Sequence, residues 1–425
     1  MRSVRYQVVC AVVVLSLAML AVPFAAAQSA PAGASAFAHV QHLAGVIGPR
    51  VAGTAGERQA AEYLAAQLRQ YGYAVEFHTF PFPFFETRQV QVQVLGASTR
   101  SIPAQALLLS TSTPAAGIEA EVVPAGIGRP EDFEGKRVNG AIVLVERGTL
   151  TFREKVVNAA SRGAAAVVVY NNQSGIIPGT LQRASEVPAV IISQDDGQQL
   201  LDAAQRGAVR LRLLVETVND TRSTVNVVAT KRGTGRPNEI VVVGGHYDSV
   251  PGSPGANDNA SGTAVTIEAA RVLASIPTAR TVQFVLFAAE ELGLYGSAAF
   301  AGSERRQGVV AMINSDMVGW GDRLMVGNST GRDDGIVATT AQVAQRLGIQ
   351  VNRTRASNSD HTSFERAGVP SIFLYRGVDP HYHRPTDVPA NVEPRHLEET
   401  VRLVVGLVQE LAALRSAAAP STARL

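Results

Sequence analysis

The sequence contains very little cysteine and very little lysine. Its only cysteine is Cys10, near the amino terminus, and its only lysines are Lys136, Lys155 and Lys231, so arginine supplies nearly all of the positive charge. A mature chain that begins after Cys10 has no disulfide bond and no cysteine ligand for a metal. It must therefore be stabilised by the size of its core and by any metal that it binds.

The sequence also has no excess of charge of either sign. It contains 38 basic and 36 acidic residues, and removing Arg2 and Arg5 with a leader peptide leaves 36 of each. A neutral chain without a basic patch gives no indication of nucleic-acid binding. With 46% hydrophobic and 17% charged residues, the 425-residue chain is typical of a soluble globular protein of two or three domains.

Only the amino terminus has a long apolar run. Two arginines precede the apolar stretch 8–22, and three alanines at 25–27 follow it. This order predicts a secretory signal peptide, residues 1–27, that is cut after Ala27. The protein would then be secreted or periplasmic and free of the membrane after cleavage. A retained anchor is the alternative, but a stretch of about 15 apolar residues is short for a membrane span.

Residues 28–104 are predicted to form the first part of a main domain. Thr54 and Glu57 have the spacing of a capping box, and helical periodicity follows them up to Gly72. The stretches 73–80 and 89–95 alternate apolar and polar residues, which predicts two half-buried strands.

Residues 105–218 differ in composition from the rest of the chain. They contain no histidine and have short apolar runs such as AIVLVERG (141–148) and AAAVVVYNN (164–172). Helices are predicted between these runs, at 152–162 and 195–206. We interpret this region as an inserted, mostly β module that contributes no catalytic residue.

Residues 219–415 are predicted to form the second part of the main domain, and residues 416–425 a frayed tail. Strands alternate with helices in this part, which predicts an α/β fold with a doubly wound mixed sheet. Active groups in such sheets gather at the carboxyl ends of the strands. The predicted strands are 239–244, 281–288, 309–314, 323–327 and 370–375, and the predicted helices are 259–275, 333–347 and 394–414.

The stretch FVLFAAEELGLYGS (284–297) places Glu290 and Glu291 at the end of an apolar strand. Two adjacent buried carboxylates require a positive partner. The only Lys or Arg within twelve residues on either side is Arg280. A metal ion is therefore the expected partner.

Further candidate ligands lie at other strand ends or in the loops beyond them. They are only nitrogen and oxygen donors, a composition that suits a catalytic zinc site with one position open for water. An open zinc site needs three protein ligands, and the sequence offers more, so two ions bridged by one carboxylate fit better. The further candidates are His246, Asp248, Asp258, Asp316, His381 and His383.

Five motifs carry a resemblance to a known family. In chain order they are GGHYDS, PGANDNASG, AAEELGLYGS, INSDMVG and YHRPTD. Together they resemble the secreted zinc aminopeptidases of the M28 class, which use two catalytic zinc ions. The stretch 48–73 is similar to the first helix of that family, and the resemblance covers about 39–100 and 222–414. More loosely, residues 105–218 resemble a protease-associated (PA) domain.

The resemblance implies a metal ligand set of five residues. Asp258 would bridge the two zinc ions. His246 and Asp316 would complete the coordination of one ion, and Glu291 and His383 that of the other.

The resemblance also implies roles for three residues that do not bind metal. Glu290 would be the general base that accepts a proton from the attacking water. Asp248 would orient the imidazole of His246. Tyr382 would polarise the scissile carbonyl and stabilise the oxyanion.

The implied activity is removal of amino-terminal residues from peptides with a free α-amine, which Glu290 and Asp316 could hold. A carboxypeptidase of the same fold is the main alternative, since four arginines could receive a substrate carboxylate. A glutaminyl cyclase, which needs one zinc, and a receptor-like binding protein without activity remain further alternatives. Asn358 stands where some family members have arginine, and the role of His381 is open. The four arginines are Arg353, Arg355, Arg376 and Arg384.

Overall fold

The computed structural model describes residues 32–413, except 97–98, 178, 332–334, 357 and 378. The predicted signal peptide (1–27) and the whole of the predicted tail (416–425) lie outside these residues. A π-helical segment, Gln41–Ile47, directly follows the first helix. The α-helices of the described chain are α1 (Ala32–Val40), α2 (Ala55–Gln70), α3 (Phe152–Ala160), α4 (Gln194–Arg206), α5 (Gly262–Leu273), α6 (Tyr295–Gly302), α7 (Gly335–Arg346), α8 (His361–Arg366) and α9 (Pro394–Leu411).

The strands of the described chain belong to one continuous mixed sheet. They are β1 (Ala74–Leu95), β2 (Arg100–Ile102), β3 (Ala104–Ala106), β4 (Ile118–Pro124), β5 (Ile142–Glu146), β6 (Ala166–Tyr170), β7 (Ala189–Ile192), β8 (Arg210–Lys231), β9 (Arg236–His246), β10 (Arg280–Phe287), β11 (Val309–Ser315), β12 (Leu324–Asn328), β13 (Val351–Arg355) and β14 (Ser371–Tyr375). The strand order is β13-β12-β14-β11-β9-β10-β8-β4-β5-β6-β7-β3, with β1 paired to β8 and β2.

The centre of the sheet is parallel. β10, β9, β11 and β14 run in the same direction, whereas β8 and β12 are antiparallel to their neighbours in this group. Helices α1, α2, α5, α7 and α9 pack on one face, and α6 and α8 contribute Phe300 and Phe364 to a smaller cluster on the other. Helices on both faces confirm the predicted α/β architecture with a mixed sheet.

A long two-stranded ribbon connects the main domain to the inserted module. β1 and β8 are paired antiparallel from Ala74 opposite Thr230 to Leu95 opposite Arg210, with a register shift between Thr87 and Gln89. The prediction of two separate strands at 73–80 and 89–95 was therefore wrong. Pro81 and Pro83 lie in the part of β1 that pairs only with β8. No strand of the described chain pairs with the opposite side of β1 there, so the missing N–H of a proline costs no hydrogen bond on that side.

The apolar core is divided between the two halves of the molecule. The main cluster is drawn from residues 36–84 and 227–412. Two other clusters are drawn from residues 92–215, and strands β4 to β7 of this region are parallel. Each half therefore encloses apolar side chains of its own.

Local details differ from the sequence-based prediction at several places. Thr54 does precede α2, but its hydroxyl donates to Val51 O (2.6 Å), and Glu57 accepts from Gly53 N (2.6 Å) instead of Thr54 N. The predicted capping box is therefore absent. Helices α1, α6 and α8 and strands β2, β3, β4, β8 and β13 were not predicted. In the part of the chain that the structure describes, no helix has the length and apolar character of a membrane span.

Candidate metal centre

The candidate site residues lie together at one edge of the sheet. His246 is the last residue of β9, and Asp316 directly follows β11. Glu290 and Glu291 come just after β10, and the loop after β14 contributes His383. Because β9, β10, β11 and β14 are parallel, their carboxyl ends meet at this edge.

Asp258 enters the same site from the loop ahead of α5, and its two carboxylate oxygens face two different imidazoles. Oδ1 lies 3.3 Å from His246 Nε2, and Oδ2 lies 3.1 Å from His383 Nε2. Each imidazole nitrogen also faces a second carboxylate. Asp316 Oδ1 is 3.5 Å from His246 Nε2, and Glu291 Oε2 is 3.1 Å from His383 Nε2.

These residues have the properties of a metal site. Ligand atoms of His246, Asp258 and Glu291 lie within 4.8 Å of one another, as do those of His246, Glu290 and Asp316. Among the described residues, several buried atoms of this cluster have no hydrogen-bond partner, including His383 Nε2, Glu291 Oε1 and Asp316 Oδ1. Buried polar atoms without partners are expected where an ion completes the site. The donor set fits zinc.

The electrostatics of the cluster show an excess of negative charge. Burial raises the pKa of Glu291 to about 7, and the nearby Asp258 contributes to this. Burial also raises the pKa of Glu290 well above its usual range. Burial alone would lower the pKa of His383, but the carboxylates of Asp258 and Glu291 beside it raise it to about 10. Burial alone would lower the pKa of His246 too, but the charges of Glu290 and Asp316 raise it well above its usual range. The carboxylates of the cluster therefore favour positive charge at this edge of the sheet.

Asp248 holds the segment that carries the two glutamates. Its Oδ1 accepts from Glu290 N (3.1 Å) and its Oδ2 accepts from Glu291 N (3.2 Å). The same Oδ1 lies 3.5 Å from His246 Nδ1. One buried carboxylate therefore fixes the end of β9 to the turn after β10. This turn is tight, since Ala289 has a φ of 55°.

Three further residues position this site and were not assigned from sequence. Asn226 of β8 accepts from Ala288 N (3.0 Å) and donates to Gly296 O (2.8 Å). Asp387 accepts from the backbone amides of Asn257 (2.8 Å) and Asp258 (3.1 Å). Ser359 donates to Asp316 Oδ2 (2.8 Å). Asp387 ends the YHRPTD motif and could have been recognised there, whereas Asn226 has no such signal.

The remaining predicted residues lie at the rim or below the site. Tyr382 is 39% exposed, and its ring stacks on His383 with 3.7 Å between the centroids. His381 has its Nδ1 2.9 Å from the Thr386 hydroxyl. Asn358 is exposed and has a left-handed backbone with a φ of 72°. Asp360, which was not among the predicted residues, lies two positions after Asn358; it is fully buried, and burial raises its pKa to about 7.

Two parts of the sequence match known protein families. Residues 226–408 match the model of peptidase family M28, and residues 118–200 match that of the PA domain. The aminopeptidase YwaD of Bacillus subtilis is 34% identical over 393 residues, which cover 88% of this chain and 84% of that protein. The chain belongs to peptidase family M28. The predictions of an M28-type aminopeptidase and of an inserted PA domain are confirmed.

Solved M28-type structures have the same fold as this chain. An aminopeptidase from Aneurinibacillus sp. strain AM-1 superposes with a TM-score of 0.82 at 33% identity, covering 89% of this chain and 94% of that one. BSAP, a zinc aminopeptidase from Bacillus subtilis, superposes with a TM-score of 0.79 at 32% identity, covering 90% and 96%. These matches span both the peptidase part and the inserted part of the chain.

Proposed function

We propose that this M28 protein is an exported aminopeptidase that holds two zinc ions and hydrolyses peptides with a free amino terminus. The observation that carries the proposal is the position of Asp258. Its two oxygens face His246 and His383 separately, and each imidazole faces a second carboxylate. This arrangement suits two ions with one bridging carboxylate, and zinc aminopeptidases are among the similar structures.

The proposed ligands are His246 and Asp316 for one ion, Glu291 and His383 for the other, and Asp258 for both. Bound zinc would act as a Lewis acid toward the substrate carbonyl and would make water more acidic at neutral pH. Asp248 would keep the imidazole of His246 in place and hold the backbone of the two glutamates.

Glu290 is the proposed general base. It is buried at this edge, with Oε2 3.9 Å from His246 Nε2. It would take a proton from the attacking water and pass it to the leaving amine. Glu290 and Asp316 would also receive the α-amine of the substrate. The partly exposed Tyr382 would donate a hydrogen bond from its hydroxyl to the oxyanion and stabilise it.

Two of the four arginines that kept a carboxypeptidase open already donate hydrogen bonds to groups of the protein itself. Arg376 is buried and donates to Val318 O, Gly321 O and Glu399. Arg355 donates to Ser329 O, outside the site. These contacts favour the aminopeptidase over the carboxypeptidase.

The proposal is tested with paired peptides that differ only in a blocked or free amino terminus. We expect cleavage of the free peptides alone, loss of activity with a chelator, recovery with zinc, and two zinc ions per chain by elemental analysis. Cleavage of the blocked peptides at their carboxyl end would instead support the carboxypeptidase. Full activity with one zinc would refute the bridging role of Asp258.

Export is tested on the mature protein. Amino-terminal sequencing of material recovered outside the cytoplasm should begin at or near Gln28. An intact Met1 on membrane-bound protein would contradict cleavage after Ala27.

A further inference from the structure

Arg50 is a fully buried cation whose guanidinium, within the described part of the chain, donates only to backbone carbonyls. It is one of the largest fully buried side chains among the described residues, and none of their carboxylates lies within salt-bridge distance of it. Its Nε donates to Tyr247 O (2.7 Å), its Nη2 to Gly255 O (2.8 Å) and its Nη1 to Pro254 O (2.6 Å). Further bonds from Nη1 reach Leu43 O and Gly48 O.

The carbonyls that Arg50 holds belong to the two segments that carry proposed metal ligands. Tyr247 lies between His246 and Asp248 at the end of β9. Gly255 lies three residues before Asp258. The backbone of Arg50 adds to this connection, since its N–H donates to Ser249 Oγ (3.0 Å) and its C=O accepts from Ser249 N (3.3 Å).

The loop before Asp258 is not held by the hydrogen bonds of a helix or a strand. The guanidinium of Arg50 supplies hydrogen bonds to its carbonyls instead. Residues 250–255 form turns and irregular backbone. Gly255 has a φ of 62°, and a Cβ placed there would lie 2.4 Å from Asp258 O and 3.0 Å from Arg50 Nη2. The loop therefore packs directly on the guanidinium. A planar fork with five N–H donors can hold several carbonyls at once, whereas an ammonium holds fewer and in a less fixed geometry.

The charge of Arg50 also suits its position. Burial lowers its pKa to about 10, and the carboxylates of Asp248, Asp387 and Asp258 oppose this decrease. The guanidinium thus lies near enough to these carboxylates to be affected by their charge, but it forms no ion pair with them. Its hydrogen bonds to carbonyls leave the carboxylates free to bind a metal.

We propose that Arg50 is a positioning residue that holds His246 and Asp258 in register for metal binding. This inference rests on the proposed two-ion site. Arg50 touches neither the ions nor the substrate, and it acts by fixing the backbone of both segments before metal arrives.

The test measures zinc affinity of metal-free wild type, Arg50→Lys and Arg50→Gln by competition with a chromogenic chelator, at a temperature where circular dichroism shows each protein folded. We expect zinc to bind about 10–100-fold more weakly to both variants, as for other residues that support metal ligands. At saturating zinc, Arg50→Lys should recover kcat to within a few fold, because no catalytic group has changed.

The matched control is Lys155→Gln. Lys155 is also a fully buried cation that donates to a backbone carbonyl, Ile127 O, but it lies in the inserted module. This variant should lose thermal stability and keep wild-type zinc affinity.

A folded Arg50→Gln with wild-type zinc affinity would overturn the inference and leave the proposed function intact. If Arg50→Lys bound zinc as tightly as wild type and Arg50→Gln did not, a buried positive charge would be sufficient for zinc affinity. The positioning role of the planar guanidinium would then be refuted.

A milder variant covers the case in which neither Arg50 variant folds. Ser249→Ala removes the side chain that accepts from Arg50 N and donates to Ser253 O (3.1 Å). We expect zinc binding weakened by a few fold in this variant, and unchanged binding would overturn the inference. Wild type that binds no zinc would refute the proposed function and this inference together.

Discussion

Single carboxylates in this site have different tasks because their surroundings differ. Asp248 is fully buried and uses its oxygens on two backbone amides, whereas Asp258 faces two imidazoles. Glu290 and Glu291 are adjacent in sequence, yet only Glu291 lies within 3.1 Å of His383. The acids at this edge of the sheet thus differ in their contacts: Asp248 holds backbone amides, whereas Asp258 and Glu291 are proposed to bind metal and Glu290 is proposed to move a proton.

The same Glu→Gln substitution should have different effects at these two neighbours. In Glu290→Gln, zinc content should stay near wild type while kcat falls ~10²–10⁴-fold, because an amide cannot accept the proton of water. In Glu291→Gln, one ion should bind more weakly and added zinc should restore part of the activity, because an amide is a poor zinc ligand. Zinc stoichiometry and kcat of both variants check this.

Each of these variants is the control for the other, since they differ by one position in the same turn. Loss of zinc from Glu290→Gln with retention in Glu291→Gln would reverse the assignment. Unchanged hydrolysis in both variants would contradict the proposed mechanism as a whole.

At the scale of helices and strands, the sequence predicted the elements that have a clear period or an apolar run. Strands β9, β10, β11 and β14 were predicted, and with them the sheet edge at which His246 and Asp316 lie. The five motifs identified the candidate ligands because each motif follows a buried strand or precedes a helix. The order and spacing of the motifs, more than any single residue, made that identification possible.

Elements whose form depends on tertiary contacts could not be predicted in the same way. β1 continues through Pro81 and Pro83 only because one side of it is free of a partner there. Helix α6 has an apolar and small-residue sequence, YGSAAFAG, without amphipathic periodicity. Asn226 and Arg50 act on backbone groups far away in sequence, at Ala288 and at Tyr247. No local pattern reports such contacts.

Helix α2 contains a buried carboxyl that should make stability depend on pH. Burial, together with the charge of Asp248, raises the pKa of Glu57 to about 8 from its ordinary 4.5. Between these two values the unfolded chain loses this proton while the folded chain keeps it, so the folded state loses about 1.4 kcal/mol per pH unit as pH rises. Relative to wild type, Glu57→Gln should therefore gain in Tm from pH 4.5 to pH 8, with no further change above.

The matched control is Glu62→Gln, which removes an exposed carboxylate from the same helix. Its Tm should follow that of wild type across the whole range. Thermal unfolding of all three proteins in buffers from pH 4 to pH 9 provides the measurement. A Glu57→Gln curve that stays parallel to wild type would show that the carboxyl titrates normally in the folded protein.

At the scale of the whole molecule, the inserted PA domain is connected to the peptidase by the β1–β8 ribbon. The middle of this ribbon is exposed at residues 86–89 and 219–221, and the register shift lies in the same region. The main apolar core uses no buried residue between 85 and 226, and the proposed ligands all lie from 246 onward. We therefore propose that the predicted module, residues 105–218, affects substrate access and takes no part in the chemistry.

Removing the module at the ribbon should leave a working peptidase. Glu86 is paired with Val218, so replacing residues 87–217 by Asn-Gly closes β1 and β8 with a two-residue hairpin turn and leaves no unpaired strand. We expect this variant to fold, to bind zinc as wild type does, and to cleave small aminoacyl substrates with kcat/KM within a few fold, while its preference among longer peptides changes. A second deletion, joining 104 to 219, removes the part of β8 that pairs with residues 87–95 of β1 and should be less stable. Loss of zinc from a folded hairpin variant would show that the module is part of the site, and an unchanged preference for long peptides would show that it does not affect access.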